Sequence, residues 1–158
     1  MIAASVKLRK GRFSEAGRCY HLRFTVRDRA PLFGEFIAAR CVVAALRTAQ
    51  TRALGTTLAF TVMPDHVHWL VQLAAETDLA TLAQRTKGRA ARHVNRAMGR
   101  SGPVWQPGYF DRAMRPSEDP VGIARYIVHN PVRAGLVKSV RHYAHWDAAW
   151  LQQGKHEG

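Results

Sequence analysis

Cysteine is scarce. Cys19 and Cys41 are the only two in 158 residues, and they form no CxxC pair. That argues against a disulfide scaffold and against a structural zinc site; both side chains are expected to be reduced, buried and small-apolar in role. No apolar run reaches the roughly 18 residues of a membrane span. The N-terminus has no signal-peptide pattern, because Lys7 to Arg12 is basic and no long apolar stretch follows directly. A cytoplasmic protein without a membrane partner is expected. There is no internal repeat and no low-complexity linker. A GxxxxGK[ST] loop is absent, as are HExxH and the HxE with PCxxC pair. These absences set aside P-loop nucleotide chemistry and the zinc hydrolases and deaminases.

Acidic residues are few as well, with 11 Asp and Glu against 24 Lys and Arg, a formal charge of +13. Arginine dominates the excess, and its planar fork suits bidentate contacts to phosphate. The balance points to a polyanionic partner, although a coding sequence that favours Arg and Ala would raise the same count. The hydrophobic fraction of 47% fits a globular chain long enough for one domain with a real core.

Periodicity sets the element order. Tyr20, Leu22, Phe24 and Val26 alternate with His21, Arg23, Thr25 and Arg27, the period of a half-buried strand. Leu32 to Leu54 reads as a helix stopped at Gly55. Thr57–Val62 and His66–Leu73 read as a hairpin around Met63-Pro64-Asp65. A second helix covers Leu79 to Met98, a fourth strand lies around Tyr109 to Met114, and a third helix runs from Ser117 to His129, stopped near Asn130-Pro131. This order predicts an α+β fold, a ferredoxin-like βαββαβ antiparallel sheet. Two helices would cover one face, leaving the other free for a site, and an additional C-terminal helix follows. The remaining C-terminal stretch is expected to pack back on the domain.

Two pairs of residues could carry chemistry. His66 and His68 are two apart on a strand, so both imidazoles project from one face while Val67, Trp69 and Val71 point into the core. They are either a divalent-metal pair or two solvated histidines. Tyr126 and Asn130 are four apart on a helix and share a side. They could bring a phenol and an amide oxygen to one volume, or serve as a packing aromatic and a helix stop.

Three segments together carry a resemblance. Met63-Pro64-Asp65-His66-Val67-His68, the run Trp105-Gln106-Pro107-Gly108-Tyr109-Phe110-Asp111-Arg112, and Tyr126-Ile127-Val128-His129-Asn130-Pro131-Val132-Arg133-Ala134-Gly135-Leu136-Val137 resemble the single-tyrosine HUH transposases. The branch they resemble most is that of the REP-associated tyrosine transposases. The likeness runs from about Gly17 to Val137. It implies a basic N-terminal arm over 1–18, a catalytic domain over 19–137 and a C-terminal tail over 138–158. In the tail the match weakens: relatives often follow a Tyr and a Trp with a serine pair, whereas this chain has Tyr143, Trp146, Asp147, Ala148 and Ala149.

What the resemblance implies is a metal-dependent enzyme that cuts and rejoins single-stranded DNA. Tyr126 would be the nucleophile and His66, His68 and Asn130 the metal ligands. His129 ranks behind Asn130 because the family pattern leaves its position variable. The cofactor would be Mg²⁺ or Mn²⁺, and the substrate single-stranded or hairpin DNA of a repetitive element. Attack by the tyrosine would give a 5′-phosphotyrosine and a free 3′-OH. The ester keeps the bond energy, so no ATP is needed, in keeping with the missing P-loop. Of the other tyrosines, Tyr20 is expected in the core and Tyr109 is a candidate for base stacking.

Candidate phosphate contacts are Arg12 in the arm and the stripe Arg85, Arg89, Arg92 and Arg96 along the second helix. Arg112, Arg115 and Arg133 lie beside the catalytic segments. The chain could act as a monomer or a homodimer, with the Tyr126 helix completing its own site or a partner's. A non-catalytic basic ferredoxin-like module is the alternative. It would need aromatics on the open sheet face, where the third strand instead shows His66, His68, Leu70 and Gln72.

Overall fold

The computed structural model describes residues 17–149, so Arg12 and the rest of the basic arm before Gly17 lie outside the described residues. The elements are β1 (Cys19–Thr25), α1 (Phe36–Thr51), β2 (Gly55–Val62), β3 (His66–Leu73) and α2 (Leu79–Met98). They continue with β4 (Phe110–Ala113), α3 (Pro120–Val128), α4 (Asn130–Arg133) and β5 (Trp146–Ala148). The sheet is antiparallel in the order β4-β1-β3-β2-β5. Its first four strands have the expected ferredoxin-like order. β5 adds a strand beyond β2.

Alternation divides the sheet into two faces. Tyr20, Leu22 and Phe24 of β1 and Val67, Trp69 and Val71 of β3 join Val42, Val43 and Leu46 of α1 and Leu82, Ala90 and Val94 of α2 in the main core. Each large side chain buried there contributes on the order of 1.5–3 kcal/mol. Trp69 also satisfies its indole N–H, which donates to Thr57 Oγ1 at 3.0 Å. On the opposite face Ala59, Leu70, Met114, Ala124, Ile127, Val128 and Ala148 form a second, smaller cluster under α3. That face is therefore only half free. Among the described residues α3 lies on β2, β3 and β5, while on the β1–β4 strip Arg23 and Phe110 are exposed and His21 and Arg112 partly exposed.

Local chemistry explains where boundaries differ from the sequence reading. The first helix is preceded by a separate 3-10 turn, Leu32–Gly34, because Glu35 is extended. It also ends at Thr51, short of Gly55, and the positive backbone angle falls on Ala53. Gly55 opens β2, and glycine is needed there for space, since a Cβ would sit 2.8 Å from Val71 Cγ2. α2 matches its expected span, with Asp78 accepting from Thr81 N at 2.7 Å and left-handed Gly99 at its end. Both cysteines are free but only partly buried. Among the described residues no helix is long and apolar enough to cross a membrane.

Part of the segment set aside as a tail is built into the sheet. β5 pairs with β2 through Ala59–Ala148, Phe60–Asp147 and Thr61–Trp146. Just before it, Val62 N donates to His145 O at 2.8 Å and Tyr143 Oη donates to Val62 O at 2.5 Å. Burial pushes the Tyr143 phenol up to about 12, so it stays a donor. Val62 ends β2 immediately before the turn that leads to His66, so the tail fixes the entry to that turn. Tyr143→Phe should therefore lower stability by about 1 kcal/mol, which for a domain of this size is a fall in Tm of about 2–4 °C. Urea and thermal unfolding will measure it, and an unchanged Tm would remove this bond from the support of the turn.

Candidate active site

β3 carries His66 and His68 on the face turned away from the main core. Opposite them in register stand Thr25 and Arg23 of β1 and, next to His68, Thr61 of β2. The turn before them is held from three directions. Met63 N donates to His66 O, Val26 N to Asp65 O and Phe33 N to Pro64 O, at 2.8–2.9 Å. The two imidazoles meet, with Nε2 of His66 and Nε2 of His68 3.1 Å apart. Nδ1 of His66 donates to Asp65 Oδ1 at 2.6 Å. Nδ1 of His68 lies 2.9 Å from Nε2 of His21 on β1. The result is one continuous chain, Asp65–His66–His68–His21.

The electrostatics keep the middle of this chain uncharged. Burial, then the positive charges of His66, His21, Arg23 and Arg133, push His68 down to about 3. Burial, Arg23 and Arg112 push His21 down to about 4. His68 is 6% exposed, so the alternative of two solvated histidines does not hold for it, and only His66 is partly open. Partial burial works to raise the Asp65 carboxyl, but the hydrogen bonds and charges of His66 and Arg29 outweigh it and hold it below its ordinary value.

This donor set fits a divalent ion. Two cis ligands of an octahedral ion at roughly 2.1 Å lie about 3.0 Å apart, close to the observed nitrogen separation. Neutral imidazoles bind metal, and a carboxylate on the far nitrogen is the usual orienting partner. Among the described residues no three His, Cys, Asp or Glu side chains converge on one point, so a third protein ligand would have to be another group.

α3 is fixed over the pair by an irregularity of its own. Pro131 has no N–H, so the carbonyl of Ile127, four residues earlier, loses its helical donor. Two side chains replace it: Thr61 Oγ1 donates at 3.0 Å and Asn130 Nδ2 at 3.1 Å. Thr61 is the register partner of His68, so the end of α3 is tied to the sheet beside the histidine. The chain does not stop at Asn130 as expected. One more turn, α4, follows and ends before Gly135, whose φ is +76°.

Tyr126 is 56% exposed, and its hydroxyl makes no hydrogen bond among the described residues. The Arg133 guanidinium lies 3.9 Å over its ring and also donates to the Tyr126 carbonyl. Asn130 Oδ1 accepts no hydrogen bond among the described residues. His129 is exposed and bonds instead to Arg125 O in its own helix at 2.9 Å. Asp119 begins this helix, accepting from Val121 N at 3.0 Å.

The sequence pattern of the transposases described as IS200-like matches residues 16–130. This chain belongs to the IS200-like transposase family. A Haemophilus influenzae protein named as a REP-associated tyrosine transposase is 30% identical over 95 residues, covering 54% of each chain. The chain thus spans about half the length of that curated relative. A solved REP-associated tyrosine transposase bound to a REP hairpin superposes with a TM-score of 0.65 at 23% identity, covering 84% of this chain and 78% of that one. A transposase structure from Deinococcus radiodurans gives 0.55 at 23% identity, over 72% of this chain and 91% of the other. At these identities the two structures establish a shared fold.

In this IS200-like transposase the arginines fall into two groups. Arg85, Arg89, Arg92 and Arg96 sit on α2, in the helical layer behind the main core, on the other side of the sheet from the histidines. Arg112 and Arg133 lie on the histidine side. Arg112 stands opposite His21 in register and pairs with Glu118 at 2.6 Å. Arg115 is exposed beyond β4 and its backbone N–H donates to Glu118 at 2.9 Å.

Sequence reading missed three residues here. His21 and Thr61 sit on strands whose alternation was legible, but their meeting with His68 and Ile127 depends on cross-strand register. The third is Phe110. Tyr109, the expected stacking residue, packs edge-on against Phe24 at 6.1 Å in the main core. Phe110 is the residue on the open strip, 42% exposed, with the Arg23 guanidinium 4.9 Å from its ring centre and His21 at 5.9 Å.

Burial of neutral His68 and His21 has a pH signature. The unfolded chain, with ordinary imidazoles near 6.5, binds more protons than the fold as pH drops toward the depressed folded values of about 3 and 4. Their contribution is fully present above about pH 6.5 and is lost progressively below it. Unfolding by urea should become easier as pH falls from the neutral range toward 4, and His68→Gln should show a shallower fall. A His68→Gln profile parallel to that of the parent would remove this histidine as a source.

Proposed function

We propose that this chain cleaves and rejoins single-stranded DNA beside a hairpin, with Tyr126 as nucleophile and with His66, His68 and Asn130 holding Mg²⁺ or Mn²⁺. The observation that carries the reading is the tie of Ile127 O to Thr61. It ties the helix that carries the exposed Tyr126, one residue earlier, to the strand beside His68. Membership of the transposase family supports the chemistry, and the relative bound to a REP hairpin supports the substrate class. The bound ion would offset negative charge at the scissile phosphate.

The chain's own residues do the rest. Tyr126 Oη gives up its proton to water as it attacks phosphorus in line, the P–O3′ bond breaks, and the departing O3′ takes up a proton from water to leave a free 3′-OH. The protein is left joined to the 5′ end, and attack by another 3′-OH reverses the step. Asn130, with its amide nitrogen engaged by Ile127 O, has its oxygen available to the ion. Arg133 stacks on the Tyr126 ring and restricts its rotation. α3 packs on the sheet of its own chain, which supports a site completed in cis. The open β1–β4 strip, with Arg23, Phe110 and Arg112, is the path for the flanking single strand, and a paired duplex would have to unpair to use it.

A labelled hairpin with a single-stranded flank, incubated with Mn²⁺ and run on a denaturing gel, tests the reading. The parent should form a covalent adduct at a 5′ end with release of a 3′-OH, and perfectly paired linear duplex should give none. Tyr126→Phe should abolish the adduct while binding persists. An adduct of undiminished yield in that variant, or protein joined to a 3′ end, would overturn the mechanism.

The strand path makes its own prediction. Phe110→Ala should weaken binding of a single-stranded oligonucleotide by about 1–3 kcal/mol, the usual worth of one base stacked on an aromatic ring. Fluorescence anisotropy at fixed salt will read it, and unchanged affinity would take the strand off this strip.

A further inference from the structure

The chain Asp65–His66–His68–His21 has a direction, and that direction depends on where each ring holds its proton. Asp65 is an acceptor, so His66 carries a proton on Nδ1, and in a neutral ring its Nε2 is then a bare lone pair. His68 Nε2 lies 3.1 Å from that lone pair. With all rings neutral and no ion present, only His68 can supply the proton between them. Its Nδ1 must then accept from His21 Nε2–H across the 2.9 Å contact.

An ion shared by His66 and His68 requires the opposite arrangement. His68 Nε2 must be bare, so its neutral ring keeps its proton on Nδ1. That N–H faces His21 Nε2, which must now accept. We propose that His21 is a positioning residue for the metal pair: it presents the lone pair that holds His68 in the metal-binding tautomer, and the hydrogen bond between the two rings reverses when the ion binds.

The protons balance. The Nε2 proton of His21 passes to His68 Nδ1, the Nε2 proton of His68 leaves to water, and His21 regains one from water at Nδ1. No net proton is taken up or released. The partly exposed His21 ring permits that exchange. Its place is fixed by β1, where it stands opposite Leu70 and Arg112, and by the edge contact with Phe110. A partner on the far nitrogen raises the basicity of a ligating imidazole and fixes its rotation. Asp65 does this for His66, and His21 is the corresponding group for His68.

This inference rests on the reading of His66 and His68 as metal ligands, and the test separates the two. Mn²⁺ binding to the full chain without DNA is followed by the electron paramagnetic resonance of free Mn²⁺. His66→Ala should lose the site; if it binds as the parent does, the metal reading itself fails. His21→Phe should weaken Mn²⁺ about 10–100-fold, the usual cost of removing such a partner. His21→Gln should bind close to the parent, because its amide oxygen can accept from His68 Nδ1. Loss in His66→Ala with parental affinity in His21→Phe would overturn the proposal and leave the metal reading standing.

A measurement on the unmutated chain guards against a variant that does not fold. Nitrogen-15 spectra at about pH 8, above the ordinary imidazole range near 6.5, report which ring nitrogen is protonated. Saturating Mg²⁺ should move the His68 proton from Nε2 to Nδ1 and do the same for His21. A His21 tautomer that stays the same with and without Mg²⁺ would refute the reversal.

Discussion

Pro131 cannot donate to the carbonyl of Ile127, and the arrangement of the site follows from how that oxygen is satisfied. A buried acceptor without a partner costs about 1–3 kcal/mol. Thr61 and Asn130 remove that cost together. Thr61 comes from β2, next to His68 on the central strand, so the bond is a tie between layers and not merely a helix repair. It fixes the height and rotation of α3 above β2 and β3. The small apolar cluster of Ala59, Leu70, Ala124, Ile127 and Val128 then packs around it. Had the helix run on without a proline, a backbone N–H would have taken one lone pair of Ile127 O and left room for only one of the two side chains.

Much of this was legible from side-chain period. The alternation His66, His68, Leu70 against Val67, Trp69, Val71 is found as read, because a strand flanked by one large core must sort its residues in that way. The ferredoxin-like order followed from element order alone. The helical spacing of the α2 arginines was also visible, but spacing on one helix cannot say behind which sheet face that helix lies. His21 illustrates the same limit. It was placed on the polar side of β1, yet its contact with His68 requires that β1 pair with β3 in one particular register. Tyr109 and Phe110 differ by one position at the start of a four-residue strand, too short for period to choose between them. Ala53 took the left-handed turn expected of Gly55, because Gly55 was needed where Val71 leaves no room for a Cβ.

The two sheet faces divide the work unequally. The face under α1 and α2 holds nearly all the large apolar side chains, and stability resides there. The other face has a roof over half its width, and that roof changes the chemistry beneath it. Desolvation holds His68 neutral without any acid nearby. The basic residues Arg23, Arg112 and Arg133, which would attract a phosphate, also disfavour protonated imidazoles beside it. The same charges that offer themselves to an anion thus keep nitrogen lone pairs open to a cation.

The separation of the arginine groups constrains how a nucleic acid could use both. Arg85, Arg89, Arg92 and Arg96 belong to the helix layer behind the sheet, so the main core and the sheet itself lie between the stripe and His66. A strand in contact with both must cross an edge of the sheet. At the β2 edge stands β5, with Trp146 and the small cluster around it. At the β4 edge stand Phe110 and Arg112, and Lys87 of α2 donates to the Gly108 carbonyl at 2.6 Å just before that strand begins. Basic side chains stand at both edges: Lys87, Arg23 and Arg112 near β4, and at β5 Arg40, which donates to the Ala144 carbonyl at 3.4 Å, and Arg47, which lines a pocket with Asp147 and Ala148. What distinguishes the β4 edge is Phe110, an exposed ring beside the Arg23 guanidinium, and a nucleic acid that reached both faces around this edge would pass it.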